Sequence, residues 1–461
     1  MESSYEVIVI GSGQGGVPLA EEFAGRNKKT LLIEMDLVGG TCINRGCTPT
    51  KAMIASAEAA YNARRTQSFG VISDFQSVDL KQVKDRKRQI VETFRNSDQK
   101  KIQATQNLDL VFGKAVFLDA RHLEIDLGTE KKVVKGSLIF INTGGRPKIP
   151  HIPGLEEISF FDSTSLMEIE ELPEHLIVIG GSYISLEFSQ MFCRFGSKIT
   201  ILERSSRLLM REDPDISGHL HEIFRQEGIE IICNAMPVEV GRDEKNTIFV
   251  LIENKGEKQK IRGSHLFLAT GRTPNTEMLQ TEAAGISIDE KGYIRVNEKL
   301  QTNVPHIYAL GDVKGGPAFT HISYDDYRII RDNFFKKGRR TIKDRFIPYV
   351  IFTDPQLGRI GLSEEEAKDK QIPYQVAKMP MNYVARAIET GSDKGIMKVL
   401  VQQETGEILG CSILGSEGGE IMSMIEIAML GKIKYYELQD AIFAHPTLAE
   451  SLNNLFYYLS E

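Results

Sequence analysis

The first 34 residues carry the pattern that most restricts the fold of this chain. The run YEVIVI at 5–10 has the length and composition of a buried parallel strand. It leads into the turn GSGQGG at 11–16, a helical pattern to about residue 25, and an apolar run at 30–33 that is followed by Glu34. Strand, glycine turn, helix, strand and acid in this order form the dinucleotide-binding fingerprint in its required context. The chain is therefore predicted to be an α/β protein that opens with a Rossmann-like domain.

Each glycine of the first turn has its own expected role. Gly11 makes the tight turn, and Gly13 lets a pyrophosphate approach the backbone. Gly16 lets the helix pack closely on the strand, and the carboxylate of Glu34 accepts hydrogen bonds from ribose hydroxyls. A glycine pattern alone is weak evidence, but the surrounding strands, helix and acid make this one specific.

A second, degenerate fingerprint begins at residue 176. An apolar run at 176–179 precedes Gly180, but Ser182 and Ser185 stand at the second and third glycine positions. Because serine is the smallest residue that keeps a polar side chain, the turn is still compatible with a closely bound dinucleotide. The sequence therefore predicts a second Rossmann-like domain.

The acid after the second strand of this domain bears on the choice of nicotinamide cofactor. Glu203 ends the strand pattern at 198–202, and a carboxylate there accepts a bond from the ribose 2′-hydroxyl and repels a 2′-phosphate. This favours NADH. Arg204 and Arg207 follow and are suited to binding a phosphate, so NADPH stays open as the alternative.

Composition excludes several classes of protein. The chain has 461 residues, of which 41% are hydrophobic and 26% charged, as expected for a globular protein of two to four domains. A net charge of −7 argues against a nucleic-acid-binding protein. No apolar run approaches the roughly 20 residues of a membrane span, and no basic segment of a secretory signal opens the chain. Five cysteines do not suggest a structural disulfide framework, so we expect a cytoplasmic protein.

Two cysteines form the most distinctive chemical feature of the sequence. Cys42 and Cys47 lie five positions apart, before the sequence Thr-Pro-Thr-Lys at 48–51. Pro49 opens an alanine-rich helical pattern, so Cys47 is expected at or just before a helix N-terminus, where the helix dipole favours a thiolate. Two such thiols form a couple suited to thiol–disulfide exchange.

Two structural alternatives exist for this pair, namely buried free thiols and half of a zinc site. A structural zinc site needs four ligands, usually with closer cysteine spacing. Cys193, Cys233 and Cys411 are isolated in the sequence, so no metal site is expected.

The segment GGTC-x4-GC-x-P-x-K at 39–51 resembles the signature of the FAD-dependent pyridine nucleotide-disulfide oxidoreductases. The resemblance covers nearly the whole chain, because further motifs of the family follow in order. It implies that the first fingerprint binds FAD, that Cys47 is the charge-transfer thiol beside the flavin, and that Cys42 is the outer, interchange thiol. Thr41 and Lys51 would line the flavin.

The end of the first FAD segment departs from the family pattern. Members of the family usually carry Ala-Thr-Gly after the strand that corresponds to 138–141. This chain has Asn142, Thr143 and Gly144 there, and the resemblance places Thr143 and Gly144 at the cofactor.

Two later segments resemble further cofactor contacts. The sequence LFLATGRTPN at 266–275 contains the intact Ala-Thr-Gly pattern, which ends in Gly271. The sequence IYALGD at 307–312 resembles the second FAD contact, in which Asp312 binds the ribityl chain and the backbone that follows it faces the pyrophosphate. Gly311 is a further expected cofactor contact.

Tyr183 and Glu187 match positions of known function in the family. By resemblance, Tyr183 gates the nicotinamide pocket over the flavin, and Glu187 pairs with Lys51 beside the reactive flavin nitrogen. The structural alternatives are a surface tyrosine and a glutamate favoured by the dipole of the helix that it begins.

The sequence His-Pro-Thr at 445–447 is followed by Glu450. In disulfide reductases of this class, such a histidine and glutamate form an acid/base dyad that serves the interchange thiol of the partner subunit. The resemblance therefore predicts a homodimer in which His445 is the proton carrier and Glu450 orients it. A capping box formed by Thr447 and Glu450 is the structural alternative, although it leaves His445 unexplained.

The resemblance divides the chain into four ranges: an FAD-binding domain at 1–150, an NAD(P)-binding domain at 151–270, a second FAD-binding part at 271–344, and an α+β dimerisation domain at 345–461. The charge-rich stretch at 77–107 has helical spacing and is predicted to present a solvated face.

The predicted reaction moves electrons from NAD(P)H through FAD to the Cys42–Cys47 disulfide and then to an oxidant. The motifs resemble the branch of mercuric reductases and reactive-chlorine-resistance reductases, whose oxidants include Hg(II), Cu(II) and hypohalous or hypothiocyanous acid. We expect the small oxidants to be preferred to Hg(II), because the sequence has no cysteine after Cys411 to serve as a metal relay. Dihydrolipoamide dehydrogenase is the alternative enzyme, and a non-enzymatic redox sensor is the alternative from another class. No role is predicted for His321.

Overall fold

The computed structural model of the chain describes residues 3–343 and 345–459. Its residues group into two compact units, each built from three chain segments. The first unit comprises Met1–Ala52, Lys81–Lys148 and Thr270–Arg345. The second comprises Met53–Leu80, Ile149–Ala269 and Phe346–Glu461. The division of the sequence into four consecutive ranges stays our proposal.

Each sheet of the described structure is built from strands of a single unit. In chain order they are β1 Ser3–Ile10, β2 Thr30–Glu34, β3 Leu108–Phe112, β4 Lys114–Phe117, β5 His122–Asp126, β6 Lys131–Ile141, β7 Gly145–Pro147, β8 His175–Ile179, β9 Lys198–Glu203, β10 Glu230–Cys233, β11 Met236–Arg242, β12 Ile248–Asn254, β13 Glu257–Gly263, β14 His265–Leu268, β15 Arg272–Pro274, β16 Ile307–Ala309, β17 Tyr349–Ile351, β18 Gln356–Gly361, β19 Tyr374–Pro380, β20 Ile396–Gln402 and β21 Ile408–Gly415.

The α-helices range from single turns to the long α4. In chain order they are α1 Gly16–Ala24, α2 Gly40–Arg45, α3 Cys47–Arg64, α4 Leu80–Ala104, α5 Tyr183–Phe195, α6 Pro214–Gln226, α7 Thr320–Phe335, α8 Glu364–Asp369, α9 Ala385–Glu389, α10 Gly418–Gly431, α11 Tyr435–Gln439 and α12 Ser451–Phe456. Of the helices described, none has the length and hydropathy that a membrane span requires.

The first unit is organised around one sheet with the strand order β3-β2-β1-β6-β5-β4, in which β16 also pairs with β6. Strands β1, β2, β3, β6 and β16 run parallel, as predicted for a Rossmann-like domain. Ile8 and Ile10 of β1 join the core on one face of the sheet, while Val7 and Val9 join the core on the other. Burial on both faces explains why the strand sequence is apolar throughout rather than alternating.

Helix α4 agrees with the predicted solvated helix, with two basic residues as exceptions. The stretch at 77–107 does form a helix, but its basic residues do not all lie on a solvated face. Lys84 and Lys87 are only 6% and 2% exposed, whereas Lys81 and Arg88 are exposed. The long aliphatic stems of lysine can pack in a core while the ammonium group finds a polar partner, so charge alone did not locate the outer face.

The second unit contains three sheets. The parallel sheet has the strand order β10-β9-β8-β14, which fits the second Rossmann-like domain. Strands β11, β12 and β13 form an antiparallel sheet. Near the C-terminus, an antiparallel sheet has the order β17-β18-β21-β20-β19, and its core includes apolar residues of α10 and α12.

A buried lysine joins the C-terminal sheet to the segment that follows β9. Lys398 of β20 is 1% exposed. Its Nζ contacts three carboxylates, at 2.8 Å from Oδ2 of Asp213, 3.0 Å from Oδ1 of Asp215 and 2.7 Å from Oε2 of Glu364. Burial works against ionisation of these carboxyls, but hydrogen bonds from lysines outweigh it and lower the pKa of all three. The cluster is therefore charged at neutral pH.

Replacing Lys398 by methionine should destabilise the protein by about 3 kcal/mol at neutral pH, because it leaves the buried carboxylate of Asp213 without its cation. The folded-state pKa of each carboxyl lies below its unfolded value, so this stabilisation exists above about pH 4 and is lost as the pH falls further. Urea midpoints should therefore differ strongly between wild type and Lys398→Met at pH 7 and converge on acidification. Lys258→Met, at an exposed position of β13, is the control. If the difference in urea midpoint between wild type and Lys398→Met did not change with pH, the stabilisation would not come from these carboxylates.

Candidate active site

The first glycine turn is shaped by backbone contacts that leave no room for side chains. Gly11 has a φ of 101°, and a Cβ there would lie 2.4 Å from the carbonyl oxygen of Asn142. A Cβ at Gly16 would lie 2.1 Å from the carbonyl oxygen of Gly11, and one at Gly13 would lie 3.0 Å from Oδ1 of Asn142. The predicted need for glycine at 11 and 16 is therefore a need for close backbone packing.

Asn142 holds this turn to the second cofactor segment. Its Oδ1 accepts a hydrogen bond from the backbone N–H of Gly16 at 2.9 Å, and its Nδ2 donates to the carbonyl oxygen of Leu310 at 2.8 Å. The side chain is 6% exposed. Sequence reasoning noticed Asn142 only as a departure from Ala-Thr-Gly, and that departure was the available signal of its role.

The segment around Gly311 is anchored by a residue that the motifs did not identify. The N–H of Gly311 donates to Oδ2 of Asp326 at 2.9 Å, and Asp326 is fully buried. Lys314 and Arg345 balance its charge, with nitrogen–oxygen distances of 3.3 and 2.7 Å. Gly311, with a φ of 75°, is thereby fixed next to Asp312.

Asp312 and Glu34 are the two acids expected at the FAD. Burial raises the pKa of the Asp312 carboxyl, whose Oδ2 lies 3.9 Å from Nε of Arg272. Glu34 is held by its own turn, because its Oε2 accepts bonds from the N–H and hydroxyl of Ser12 at 2.9 and 2.5 Å. The N–H of Asp36 donates to Oε1 of Glu34 at 2.9 Å. Ribose binding by Glu34 remains a prediction.

The geometry of this unit fits a dinucleotide. The N-cap residue of α1 is Gly15, which has no side chain, and no acid lies in the first turn of the helix. The positive end of the helix dipole suits a pyrophosphate. Gly144 has a φ of 63°, and its carbonyl accepts a bond from the N–H of Asn275 at 3.0 Å, while the hydroxyl of Thr143 donates to the carbonyl of Asn275 at 3.2 Å. The carbonyl of Gly271 accepts a bond from the N–H of Lys148.

The two cysteines lie on successive helices of the chain. Cys47 is the first residue of α3, as predicted, whereas the sequence did not predict α2, which carries Cys42. Cys42 is half-buried and Cys47 is exposed. A hydrogen bond with Cys47, followed by burial, raises the pKa of the Cys42 thiol far above its usual range. Loss of the first proton is therefore a property of the pair rather than of one sulfur.

Thr320 is a polar neighbour of this pair that the sequence did not reveal. It is the first residue of α7, and its Oγ1 lies 3.3 Å from Sγ of Cys47. The hydroxyl of Thr320 and the charge of Lys51 both lower the pKa of Cys42, against the larger opposing effects. Thr41 is exposed in the first turn of α2. His321, next to Thr320, stacks on Phe319 with an interplanar angle of 11°.

The second glycine turn shows how serine replaces glycine. Gly180 has a φ of 117°, and a Cβ there would lie 2.5 Å from the carbonyl oxygen of Ala269. Ser185 is fully buried and donates its hydroxyl to the carbonyl of Gly180 at 2.5 Å, so its side chain closes the turn. Ser182 is the N-cap of α5 and makes no capping bond with its side chain.

The remaining residues predicted for the nicotinamide side lie in the second unit. Tyr183 is the half-buried first residue of α5. Glu187 is 3% exposed and accepts a bond from the N–H of Phe352 at 2.9 Å, and its pairing with Lys51 remains a prediction. Glu203 accepts a bond from the N–H of Ser205 at 2.7 Å through Oε1.

The structure brings His445 and Glu450 together. Nδ1 of His445 lies 2.8 Å from Oε2 and 3.1 Å from Oε1 of Glu450, and the His445 side chain is 67% exposed. Helix α12 has Glu450 itself at its N-cap, so Thr447 does not cap this helix. The hydroxyl of Thr447 still accepts a bond from the N–H of Glu450 at 3.2 Å, which is one of the two bonds of the capping-box alternative. The contact with Glu450 thus occupies Nδ1 of His445 and not Nε2.

Two family models match most of the chain. Residues 5–326 match the family described as pyridine nucleotide-disulphide oxidoreductase, and residues 347–456 match its dimerisation domain. The chain is 36% identical over 458 residues to the probable pyridine nucleotide-disulfide oxidoreductase RclA of Escherichia coli strain K12, covering 98% of this chain and 99% of the relative.

Two further relatives are informative. Mercuric reductase of Staphylococcus aureus is 32% identical over 451 residues, which are 98% of this chain and 82% of that protein. A solved structure described as the Cu(II) complex of the HOCl-induced flavoprotein disulfide reductase RclA from Escherichia coli matches with a TM-score of 0.91 and 36% identity, covering 99% of both chains.

Replacing Thr320 by valine should raise the pH at which the reduced cysteine pair loses its first proton. One hydrogen bond of about 1 kcal/mol corresponds to roughly 0.7 pH units. The pH dependence of iodoacetamide alkylation of the reduced protein measures this shift, which belongs to the pair rather than to one sulfur. Thr320→Ser keeps the hydroxyl and should behave as wild type. Identical profiles for Thr320→Val and wild type would show that the contact does not stabilise the thiolate.

Proposed function

The chain belongs to the pyridine nucleotide-disulphide oxidoreductases, and from this premise we propose that it is a reductase of small thiol-reactive oxidants. Electrons would pass from NADH through FAD to a Cys42–Cys47 disulfide and from the resulting dithiol to the oxidant. The observation that carries the proposal is the hydrogen-bonded cysteine pair, with Cys47 at the N-terminus of α3. FAD dependence and oxidoreductase activity are properties of the family.

The groups proposed to hold the cofactor surround the first glycine turn. Gly11, Gly13 and Gly16 would admit the pyrophosphate, and Glu34 and Asp312 would meet the ribose and the ribityl chain. The further proposed contacts with FAD are Thr41, Lys51, Thr143, Gly144, Gly271 and Gly311. Bound FAD would supply the transfer of two electrons from the nicotinamide to the disulfide.

Cys42 is the proposed nucleophile towards the oxidant. Because its pKa is raised, it needs a base to release its proton, and His445 with Nδ1 held by Glu450 is suited to this. The sulfur attacks the electrophilic atom of hypohalous or hypothiocyanous acid, and the departing hydroxide takes up the proton as water. Cys47 then attacks the Cys42 sulfur, halide or thiocyanate leaves, and the disulfide forms with two electrons passed to the oxidant.

The proposed nucleotide is NADH. Glu203 stands at the end of β9, where its carboxylate would repel a 2′-phosphate. The proposed nicotinamide site also includes Gly180, Ser182 and Tyr183. NADPH is the alternative, since Arg204 is exposed close by.

We prefer a small oxidant to a metal ion as the substrate because of the side chains that could bind a metal. Within residues 3–343 and 345–459, no group of three or more His, Cys, Asp and Glu side chains is arranged to hold a metal ion. Hg(II) or Cu(II) would therefore meet Cys42 and Cys47 as a tight two-thiolate site, from which soft metals leave slowly. The relative RclA is described as HOCl-induced, which agrees with this choice. We place the enzyme in the cytoplasm, and dihydrolipoamide dehydrogenase is the less supported alternative.

We expect hypothiocyanous acid to support faster NADH oxidation than Hg(II). Dihydrolipoamide should be a poor substrate for NAD⁺ reduction. The measurement is steady-state absorbance of NADH, with an enzyme-free control for direct oxidation and Cys42→Ser as the inactive variant. Faster turnover with Hg(II) would favour a metal reductase. Dihydrolipoamide turnover of about hundreds per second, the scale of a dedicated enzyme, would favour the alternative.

The dimerisation domain supports a homodimer, and we propose that His445 serves the cysteine pair of the partner. Mixing Cys47→Ala and His445→Ala subunits should restore activity, because each heterodimer has one site with both lesions and one with neither. Random exchange gives about a quarter of wild-type activity. A mixture of Cys47→Ala and Cys42→Ala is the control and should stay inactive. If the first mixture also stays inactive despite proven exchange, the sites are not shared.

A further inference from the structure

Arg207 lies in the segment that follows β9, four residues after Glu203, and a residue outside that segment holds it. Its Nη2 lies 3.2 Å from both carboxylate oxygens of Glu365, which belongs to α8 of the C-terminal region. The same nitrogen donates to the carbonyls of Glu212 at 3.3 Å and Met210 at 3.4 Å. All these groups belong to the second unit.

The segment that carries Arg207 packs on the nucleotide turn. A Cβ at Gly181 would lie 2.7 Å from Oε2 of Glu203 and 2.9 Å from Cδ2 of Leu208. The N–H of Leu209 donates to the carbonyl of Gly181 at 3.0 Å. Arg207 immediately precedes Leu208, so its long side chain begins beside the turn that Glu203 contacts.

In its observed position, the Arg207 side chain has one donor that is not hydrogen-bonded to any described residue. Its Nε is buried and, among the residues that the structure describes, has no hydrogen-bond acceptor. A buried donor without an acceptor is unfavourable. The carboxylate of Glu365 supplies the only charge that an ion pair gives Arg207 within the described part of the chain. Without that charge, the held orientation loses its main electrostatic support.

Glu365 is itself fixed by the charge cluster around Lys398. Its backbone N–H donates to Oδ1 of Asp213 at 3.3 Å, and the N–H of Glu364 donates to Oδ2 of the same residue at 3.1 Å. Lys398 binds Asp213 and Glu364 in turn. The start of α8 is therefore tied to the segment after β9, and Glu365 meets Arg207 at a defined position.

We infer that Glu365 determines nucleotide specificity: it neutralises Arg207 and holds it away from the ribose 2′ position, so that Glu203 alone selects the nucleotide. This inference rests on the proposed use of NADH. It assigns a positioning role to a residue that lies more than 150 positions beyond the nucleotide fingerprint in the sequence.

The test compares wild type with Glu365→Gln, which keeps the size of the side chain and removes its charge. We expect the ratio of kcat/KM for NADPH to that for NADH to rise about fivefold, the size of a partly exposed ion pair. Glu404→Gln, at an exposed position without a described contact, removes the same charge and should leave the ratio unchanged. In an Arg207→Gln background, the rise on adding Glu365→Gln should disappear.

Binding supplies a second readout that does not depend on turnover. Calorimetry of the holoenzyme with 2′,5′-ADP and with 5′-AMP measures the contribution of the 2′-phosphate directly. Glu365→Gln should strengthen binding of 2′,5′-ADP about fivefold and leave 5′-AMP unchanged. Equal urea midpoints for Glu365→Gln and wild type will show that the fold is intact.

The outcomes separate the inference from the proposed function. If wild type prefers NADH and Glu365→Gln changes neither ratio nor binding, the inference is wrong and the proposed function stands. If the rise persists in the Arg207→Gln background, Glu365 acts through its own charge and not through Arg207, which also overturns the inference. If kcat/KM of the wild type is tenfold higher with NADPH than with NADH, the proposed nucleotide is wrong. The inference that Glu365 holds Arg207 away from the 2′ position is then wrong as well.

Discussion

The hydrogen bond between the thiols of Cys42 and Cys47 is the interaction on which the proposed chemistry depends. It raises the pKa of the Cys42 thiol, while Cys47 begins α3, whose positive end favours a thiolate. Thr320 adds a hydroxyl at the same sulfur. The two thiols are thus unequal before any substrate arrives, and this inequality is what allows one to act as nucleophile and the other as the resolving thiolate.

The supporting structure is fixed by contacts that are distant in sequence. Asn142 joins the first glycine turn to Leu310, and Asp326 holds Gly311. Both are buried side chains that bind backbone groups. They therefore set the shape of the proposed FAD site, although neither is proposed to contact the flavin. Loss of either would disturb the site through the backbone.

Local patterns predicted much of this architecture. The strand and acid of the first fingerprint, and the position of Cys47 at a helix start, follow from neighbours in sequence and agree with the structure. Asn142, Thr320 and Asp326 were missed because their partners lie elsewhere in the chain, where no spacing rule applies. The buried Lys84 and Lys87 were misjudged for a related reason, since a charged helix face is solvated only if no other element covers it.

The central claim is that Cys42 and Cys47 form the disulfide that receives electrons from the nicotinamide. Peptide mapping by mass spectrometry, after rapid alkylation in acid, tests it directly. The air-oxidised holoenzyme should contain the peptides of Cys42 and Cys47 joined by a disulfide, and one equivalent of NADH per subunit should convert both to alkylated thiols while Cys193, Cys233 and Cys411 do not change. An enzyme that oxidises NADH while this disulfide stays intact, or in which the two peptides are never joined, would contradict the account.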